Sequence, residues 1–322
     1  MAKFIIKRLL FILPTILVIS FIVFFVMDLT PGSPALLILG ETASPEQIAA
    51  LNEELGYNRP FLVRYLDYIL SALQGDFGNS YSSGQPVMEL ILTKFPVTAK
   101  LAIFGVLLGS VVGISLGILS AVKQYSILDG ISSVLAITVA SVPTFWLGLM
   151  ALLLFASKLH WLPSYGLDTP LHYLLPVFVV SLSCMANTLR MTRTTMLEAI
   201  RQDYVRTAKA KGASRKTVIF KHALQNALLP VVTQVGIDFG YLLGGTVVVE
   251  RIFTINGIGT LVITAVNDKD IPIVMGVVIF LSLLFMLILL AVDILYAYID
   301  PRVKARYLAK QKSSRKRGAS AA

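Results

Sequence analysis

Of the 322 residues, one is cysteine, Cys184, and three are histidine, His160, His172 and His222. A single thiol excludes an intramolecular disulfide, and histidines so scattered offer no metal-ligand spacing. Charge is also scarce, since Asp, Glu, Lys and Arg make up 14% of the chain against about 25% in a typical soluble domain. No Gly-rich loop ending in Gly-Lys-Ser/Thr occurs, so the chain has no phosphate cradle of its own. These absences argue against a water-soluble enzyme, against redox or metal chemistry, and against nucleotide hydrolysis by this chain. No catalytic, cofactor-binding or metal residue is expected in it.

What is abundant is apolar surface, at 56% of residues with a mean hydropathy of +0.78. One core does not need that much, whereas six spans of roughly 20 residues would use about 120 positions. Long apolar runs occur at about 9–27, 97–122, 131–157, 171–189, 231–249 and 271–299, which predicts an all-α, polytopic membrane protein. The fourth run contains Pro176 and Asn187. It is retained because losing it would place the basic 190–221 segment outside, against the positive-inside rule.

With six spans and the N-terminus inside, only Arg59, Arg64, Lys94, Lys100, Lys158, Arg251 and Lys269, seven of the 28 basic residues, fall outside. The net charge of +10 is then a matter of orientation in a cytoplasmic membrane, with both termini cytoplasmic, and not of nucleic acid. Lys3, Lys7 and Arg8 resemble a signal-peptide n-region. The apolar stretch outlasts an h-region and no small-x-small site follows Asp28, so an uncleaved signal anchor is favoured. The expected organisation is an anchor helix at 1–28, an extracytoplasmic helical loop at 29–96, a five-helix core at 97–302 holding a cytoplasmic loop at 190–229, and a basic tail at 303–322. That tail reads as a disordered strip on anionic lipid.

The outer loop carries its own helix signals. Ser44-Pro45-Glu46-Gln47 is a capping box with proline at the first helical position, and Gly56 supplies a stop. A second helix is expected from Pro60 to Gln74, ending at Gly75. A solvated subdomain and a docking surface for an extracytoplasmic partner are equally compatible with it.

Within the second run Gly105, Gly109, Gly113 and Gly117 recur every fourth residue and line one helix face for close packing, within the chain or against another subunit. Gly236, Gly240 and Gly244 form a similar ridge in the fifth run, with Gln234, Asp238 and Tyr241 on nearly the opposite face. Asp238 lies about eight residues past Pro230, roughly 12 Å deep at about 1.5 Å per residue. It is either a structural hydrogen-bonding group or a residue of a translocation path meeting a cationic or amide-bearing solute. Asp293, nearer the inner surface, reads as a local ion-pair residue. So few intramembrane ionisable groups do not support a proton- or sodium-coupled carrier.

The inner loop reads as a helix containing Asp203, Tyr204, Arg206, Thr207, Ala208, Lys209, Ala210 and Lys211, a stop at Gly212, Ser214 as N-cap, and a second helix. Ala208-Lys209-Ala210-Lys211-Gly212 followed by Asn226-Ala227-Leu228-Leu229-Pro230 resembles the coupling loop of binding-protein-dependent ABC importer permeases of the dipeptide, oligopeptide and nickel branch. Leu29-Thr30-Pro31-Gly32-Ser33-Pro34, Gly75-Asp76-Phe77-Gly78-Asn79-Ser80, Glu250-Arg251-Ile252-Phe253 with Gly257-Ile258-Gly259, and Asp300-Pro301-Arg302 agree in order.

The resemblance implies a methionine-importer-like fold of six transmembrane helices and alternating access for short peptides, with nickel, a metallophore or glutathione as alternatives. It also implies a second similar permease, two ATPase subunits that hold ATP and magnesium, a solute-binding protein, and lipid around the spans. By it, Arg206, Thr207, Ala208 and Gly212 occupy the family's Glu-Ala-Ala...Gly positions, and residues 203–212 seat on the ATPase. Arg206 stands where most of the wider family has glutamate, and Ile255-Asn256-Gly257-Ile258-Gly259 where many relatives have Trp-Pro-Gly-Leu-Gly. A stand-alone channel or ion-coupled carrier is the alternative of a different class.

Overall fold

Apolar runs of this length can satisfy their backbone in a bilayer only as helices or closed barrels. The computed structural model, which describes residues 2–30, 32–40, 42–167 and 169–299, takes the helical solution. Pro31, the Asp300-Pro301-Arg302 segment and the 303–322 tail lie outside the described residues.

Five unbroken helices are long and apolar enough to span: α1 (Ala2–Leu29), α5 (Val87–Val122), α8 (Pro170–Ile200), the continuous 215–245 helix, and α14 (Ile271–Ile299). The 215–245 helix is built from α10 (Arg215–Thr217), a π-helical turn (Val218–Ala223) and α11 (Leu224–Gly245). The sixth span is a bent pair, α6 (Ile127–Ser141) and α7 (Thr144–Ala151), the latter running on as a π-helical Leu152–Lys158.

The apolar run expected at 131–157 forms a span in two pieces whose axes meet at 102°. Pro143 has no N–H to give and pushes the preceding residue out of the helical region; Val142 is accordingly extended, with ψ 129°. The boundaries of three other spans also move. α5 starts at Val87, ahead of the expected 97, and α8 runs on to Ile200, into what the sequence suggested was loop. The fifth span starts at Arg215 and ends at Gly245, after which Thr246 leads into α12 (Val247–Ile252) and then α13 (Ile258–Asn267).

Between α1 and α5 lie α2 (Pro34–Leu39), α3 (Pro45–Glu54) and α4 (Phe61–Leu73). The Ser44–Gln47 capping box forms reciprocally, with both bonds at 3.0–3.3 Å. Gly56 and Gly75, at φ +68° and +86°, stop α3 and α4. α4 lies along the shaft of α1. The Tyr65 hydroxyl donates to the Leu17 carbonyl at 2.9 Å, Phe61 packs on Phe21, Phe24 and Phe25, and Arg64 pairs with Asp28. Leu62, Leu66, Leu70 and Leu73 form an exposed stripe on the opposite side of α4. The segment is tied to the start of α14 by Asp270, fully buried, which accepts Ser80 Oγ at 2.6 Å and both the backbone N–H and Oγ of Ser82 at 3.1 Å. Beside it, burial and the Asp270 charge push the Tyr81 phenol up to about 12.

α5 and α8 make the most extensive helix pair in the fold. Gly105, Gly109, Gly113 and Gly117 are all buried in that seam, opposite Val180, Ser181, Met185 and Thr192 of the same chain. The α8 backbone comes so close that a Cβ on Gly113 would sit 2.7 Å from the Met185 carbonyl oxygen. In α11, Gly236 and Gly240 admit Val292 and Phe285 of α14, whereas Gly244 has nothing within 4 Å and takes no part in that ridge.

Candidate functional site

α9 (Asp203–Ala210) is two helical turns with two faces. Val205, fully buried, joins an apolar cluster with Ala121 of α5, Met196 and Ala199 of α8, and Val218, Ala223 and Ala227. Ala208 is also turned inward at 8% exposure and is not part of the free surface of α9. Asp203, Tyr204, Arg206, Thr207, Lys209, Ala210 and Lys211 face outward. The Arg206–Asp203 pair, at 3.8 Å and open to solvent, contributes little.

The helix stops in a Schellman arrangement. Gly212, at φ +79°, donates its N–H to the Lys209 carbonyl at 3.0 Å, and the Ala213 N–H reaches the Ala208 carbonyl at 3.1 Å. Space around Gly212 is open, so it is the left-handed backbone that demands glycine here. Ser214 then caps the next helix through the Thr217 N–H.

Just above this loop a half-buried ion pair joins three spans. Arg193 of α8 reaches Asp129 at the start of α6 with Nε to Oδ1 at 2.7 Å and Nη2 to Oδ2 at 3.0 Å. Ser120 of α5 also donates to Asp129, and the Tyr125 N–H does so at 3.0 Å. Sequence reading missed this clamp because its members are far apart in the chain. Arg193→Ala should cost about 1–3 kcal/mol by leaving the buried carboxylate with only Ser120 and the Tyr125 N–H. Thermal unfolding in detergent should show Asp129→Ala in the same background restoring part of the loss.

Higher along the spans, Asp238 of α11 is 6% exposed and accepts Asn187 Nδ2 of α8 at 3.1 Å and Gln234 Nε2 at 3.0 Å. Asn187, which made the fourth run look weak, is therefore a partner of this carboxylate. Of the three path candidates, Asp238 is covered, while Gln234 borders an open cavity and Tyr241 is 69% exposed. Asp293 of α14 pairs with Arg8 of α1 at 2.7 Å.

A further buried carboxylate, also missed, lies in α12. Glu250 is fully buried and accepts Thr98 Oγ1 of α5 at 2.7 Å, Thr246 Oγ1 at 3.1 Å and the Thr260 N–H of α13 at 2.9 Å. Thr98 in turn accepts the Ile258 N–H at 2.9 Å. A Cβ on Gly257 would fall 2.5 Å from Glu250 Oε1, and one on Gly259 would fall 2.6 Å from Val247 Cα and 3.0 Å from Glu250 Oε2, so both positions take glycine.

Six spans, a glycine-stopped helix at one end and a buried Glu250–Gly257 lock are the setting for the comparisons with known proteins. The family described as "Binding-protein-dependent transport system inner membrane component" matches residues 113–305, and its N-terminal companion matches residues 1–102. The chain belongs to this permease family. The permease is 40% identical to the dipeptide transport system permease protein DppB of Alkalihalophilus pseudofirmus, over 94% of this chain and 100% of that one. It is 38% identical to the glutathione transport system permease protein GsiC of Escherichia coli K12, over 94% and 99%. Among solved structures the MetNI methionine ABC transporter in inward-facing form matches 66% of the permease and 97% of its own chain at a TM-score of 0.54 and 19% identity, which is likeness of fold. The permease is thus a multi-pass inner-membrane subunit of an ABC importer, with a methionine-importer-like fold and a transport role.

Proposed function

We propose that the permease carries short peptides, glutathione-like tripeptides included, through the cytoplasmic membrane, driven by separate ATPase subunits that grip α9. The observation that carries this reading is the division of α9. Val205 fastens it to the Val218–Ala223 turn, in a cluster that includes the ends of α5 and α8, and Ala208 is turned inward, while Tyr204, Arg206, Thr207 and Lys211 are left outward for a partner. The names of the 38–40% identical relatives support peptides as the solute class.

In this reading both termini and α9 are cytoplasmic, and the α2–α4 segment faces the outside and a solute-binding protein. A second, similar permease completes the path, and two ATPases hold ATP and magnesium. Their closure moves each α9 and its attached spans as a rigid body, so that access alternates between the two sides. The permease makes and breaks no covalent bond.

The test is reconstitution of the four kinds of subunit in proteoliposomes, with labelled alanyl-alanine as solute. ATP-dependent uptake is expected, and Tyr204→Ala or Ala210→Trp, both on the exposed face, should lower it at least about tenfold while the permease still folds. Uptake by the permease alone without ATPases, or full uptake by both variants, would overturn the reading.

A further inference from the structure

The α8–α11 wall carries chemistry that attachment to an ATPase does not use. Asn187, Arg190, Met191 and Thr194 of α8 and Gln234 of α11 border an open cavity of about 310 Å³. Behind them Asp238 takes the amide nitrogens of both Asn187 and Gln234. The carboxylate itself fixes the orientation of the two amides, because the reverse would set an amide oxygen against a carboxylate oxygen. Each amide spends one of its two N–H groups on Asp238, so what it has left to offer a solute is its acceptor oxygen and one N–H.

Arg190, one turn beyond Asn187, is exposed, and none of the ion pairs among the described residues includes it. The nearby negative charge of Asp238 is covered. The wall therefore displays one cation and two amide oxygens, each amide with one N–H to spare, and no displayed carboxylate among the residues bordering the cavity.

We propose that this wall recognises the two ends of a passing peptide, with Arg190 taking the C-terminal carboxylate and the amide oxygens of Asn187 and Gln234 accepting N–H groups of its ammonium or backbone. The inference rests on the short-peptide reading above. A guanidinium suits a carboxylate because its planar fork donates two parallel hydrogen bonds. The cavity is open and shallow, which suits a transit site, where a solute must be held weakly enough to leave.

The experiment uses the complete reconstituted importer, with labelled alanyl-alanine and its C-terminal amide each saturating the solute-binding protein. In the wild type the free acid should cross about tenfold faster than the amide, the scale of one charge-assisted hydrogen bond. Arg190→Gln should remove that difference by slowing the free acid, Arg190→Lys should restore part of it, and ATPase stimulation by the loaded binding protein should stay within about twofold. Unchanged free-acid uptake in Arg190→Gln overturns the proposal and leaves the importer reading intact. Equal loss for both peptides together with lost ATPase stimulation also overturns it, making Arg190 a contact between subunits. Wild-type uptake of neither peptide removes the peptide reading and the proposal with it.

Discussion

Valine at Gly109 or Gly113 is expected to eliminate folded permease, read as loss of the monodisperse peak when membranes are solubilised and run by size exclusion. A Cβ at Gly109 would lie 2.7 Å from the Ser181 carbonyl oxygen, 2.9 Å from Cys184 Cβ and 3.0 Å from the Met185 nitrogen. At Gly113 the nearest atoms are the Met185 carbonyl oxygen at 2.7 Å, Thr188 Cβ at 2.9 Å and the Leu189 nitrogen at 3.1 Å. These neighbours are mostly helix backbone, which cannot rotate aside as a side chain would. The two spans must separate along the whole seam, at a cost above the roughly 1–3 kcal/mol of ordinary overpacking. Gly244→Val, at a helical glycine with open space around it, should fold nearly as well as wild type. Equal behaviour of the three variants would show that the seam is not what holds α5 to α8.

Glu250→Ala should be nearly as damaging. It leaves the Thr98 hydroxyl, the Thr246 hydroxyl and the Thr260 N–H without their acceptor in a fully buried site. Each unmet buried donor costs about 1–3 kcal/mol, so a loss of at least about 3 kcal/mol is expected. Glu250→Gln keeps the volume but turns an N–H₂ toward donors, and should fall between wild type and alanine. The order wild type, Gln, Ala in melting temperature is the check, and an alanine variant as stable as wild type would remove Glu250 from its role as a lock.

Local chemistry made much of the fold legible. The Ser44–Gln47 box and the glycine stops at 56, 75 and 212 depend on a few neighbouring residues, and each forms where the sequence put it. The four-residue glycine period in α5 likewise needs only one helix to be read, although its partner, α8, becomes visible only in three dimensions.

Hydropathy concealed the rest. Residues 131–157 stay apolar through Val142-Pro143, so the run gives no dip where the 102° bend occurs, and the proline itself was the signal. Lys94 and Lys100 interrupt the apolar pattern at the start of α5 although the helix passes through both. Asp129 with Arg193, and Glu250 with Thr98, are too distant in sequence to be paired by any local rule. Asp238, which the sequence leaves open between a structural hydrogen-bonding group and a path residue, is covered by two amides.

The same close seam that forbids side chains between α5 and α8 also leaves them no room to slide or flex against each other. α8 has 31 residues, a rod about 46 Å long at about 1.5 Å per residue. Tilting such a rod by about ten degrees at its lower end sweeps its upper end through about 8 Å. A push of modest size at the membrane's inner border is thus enlarged by length alone into a displacement wide enough to open or shut a passage the width of a peptide.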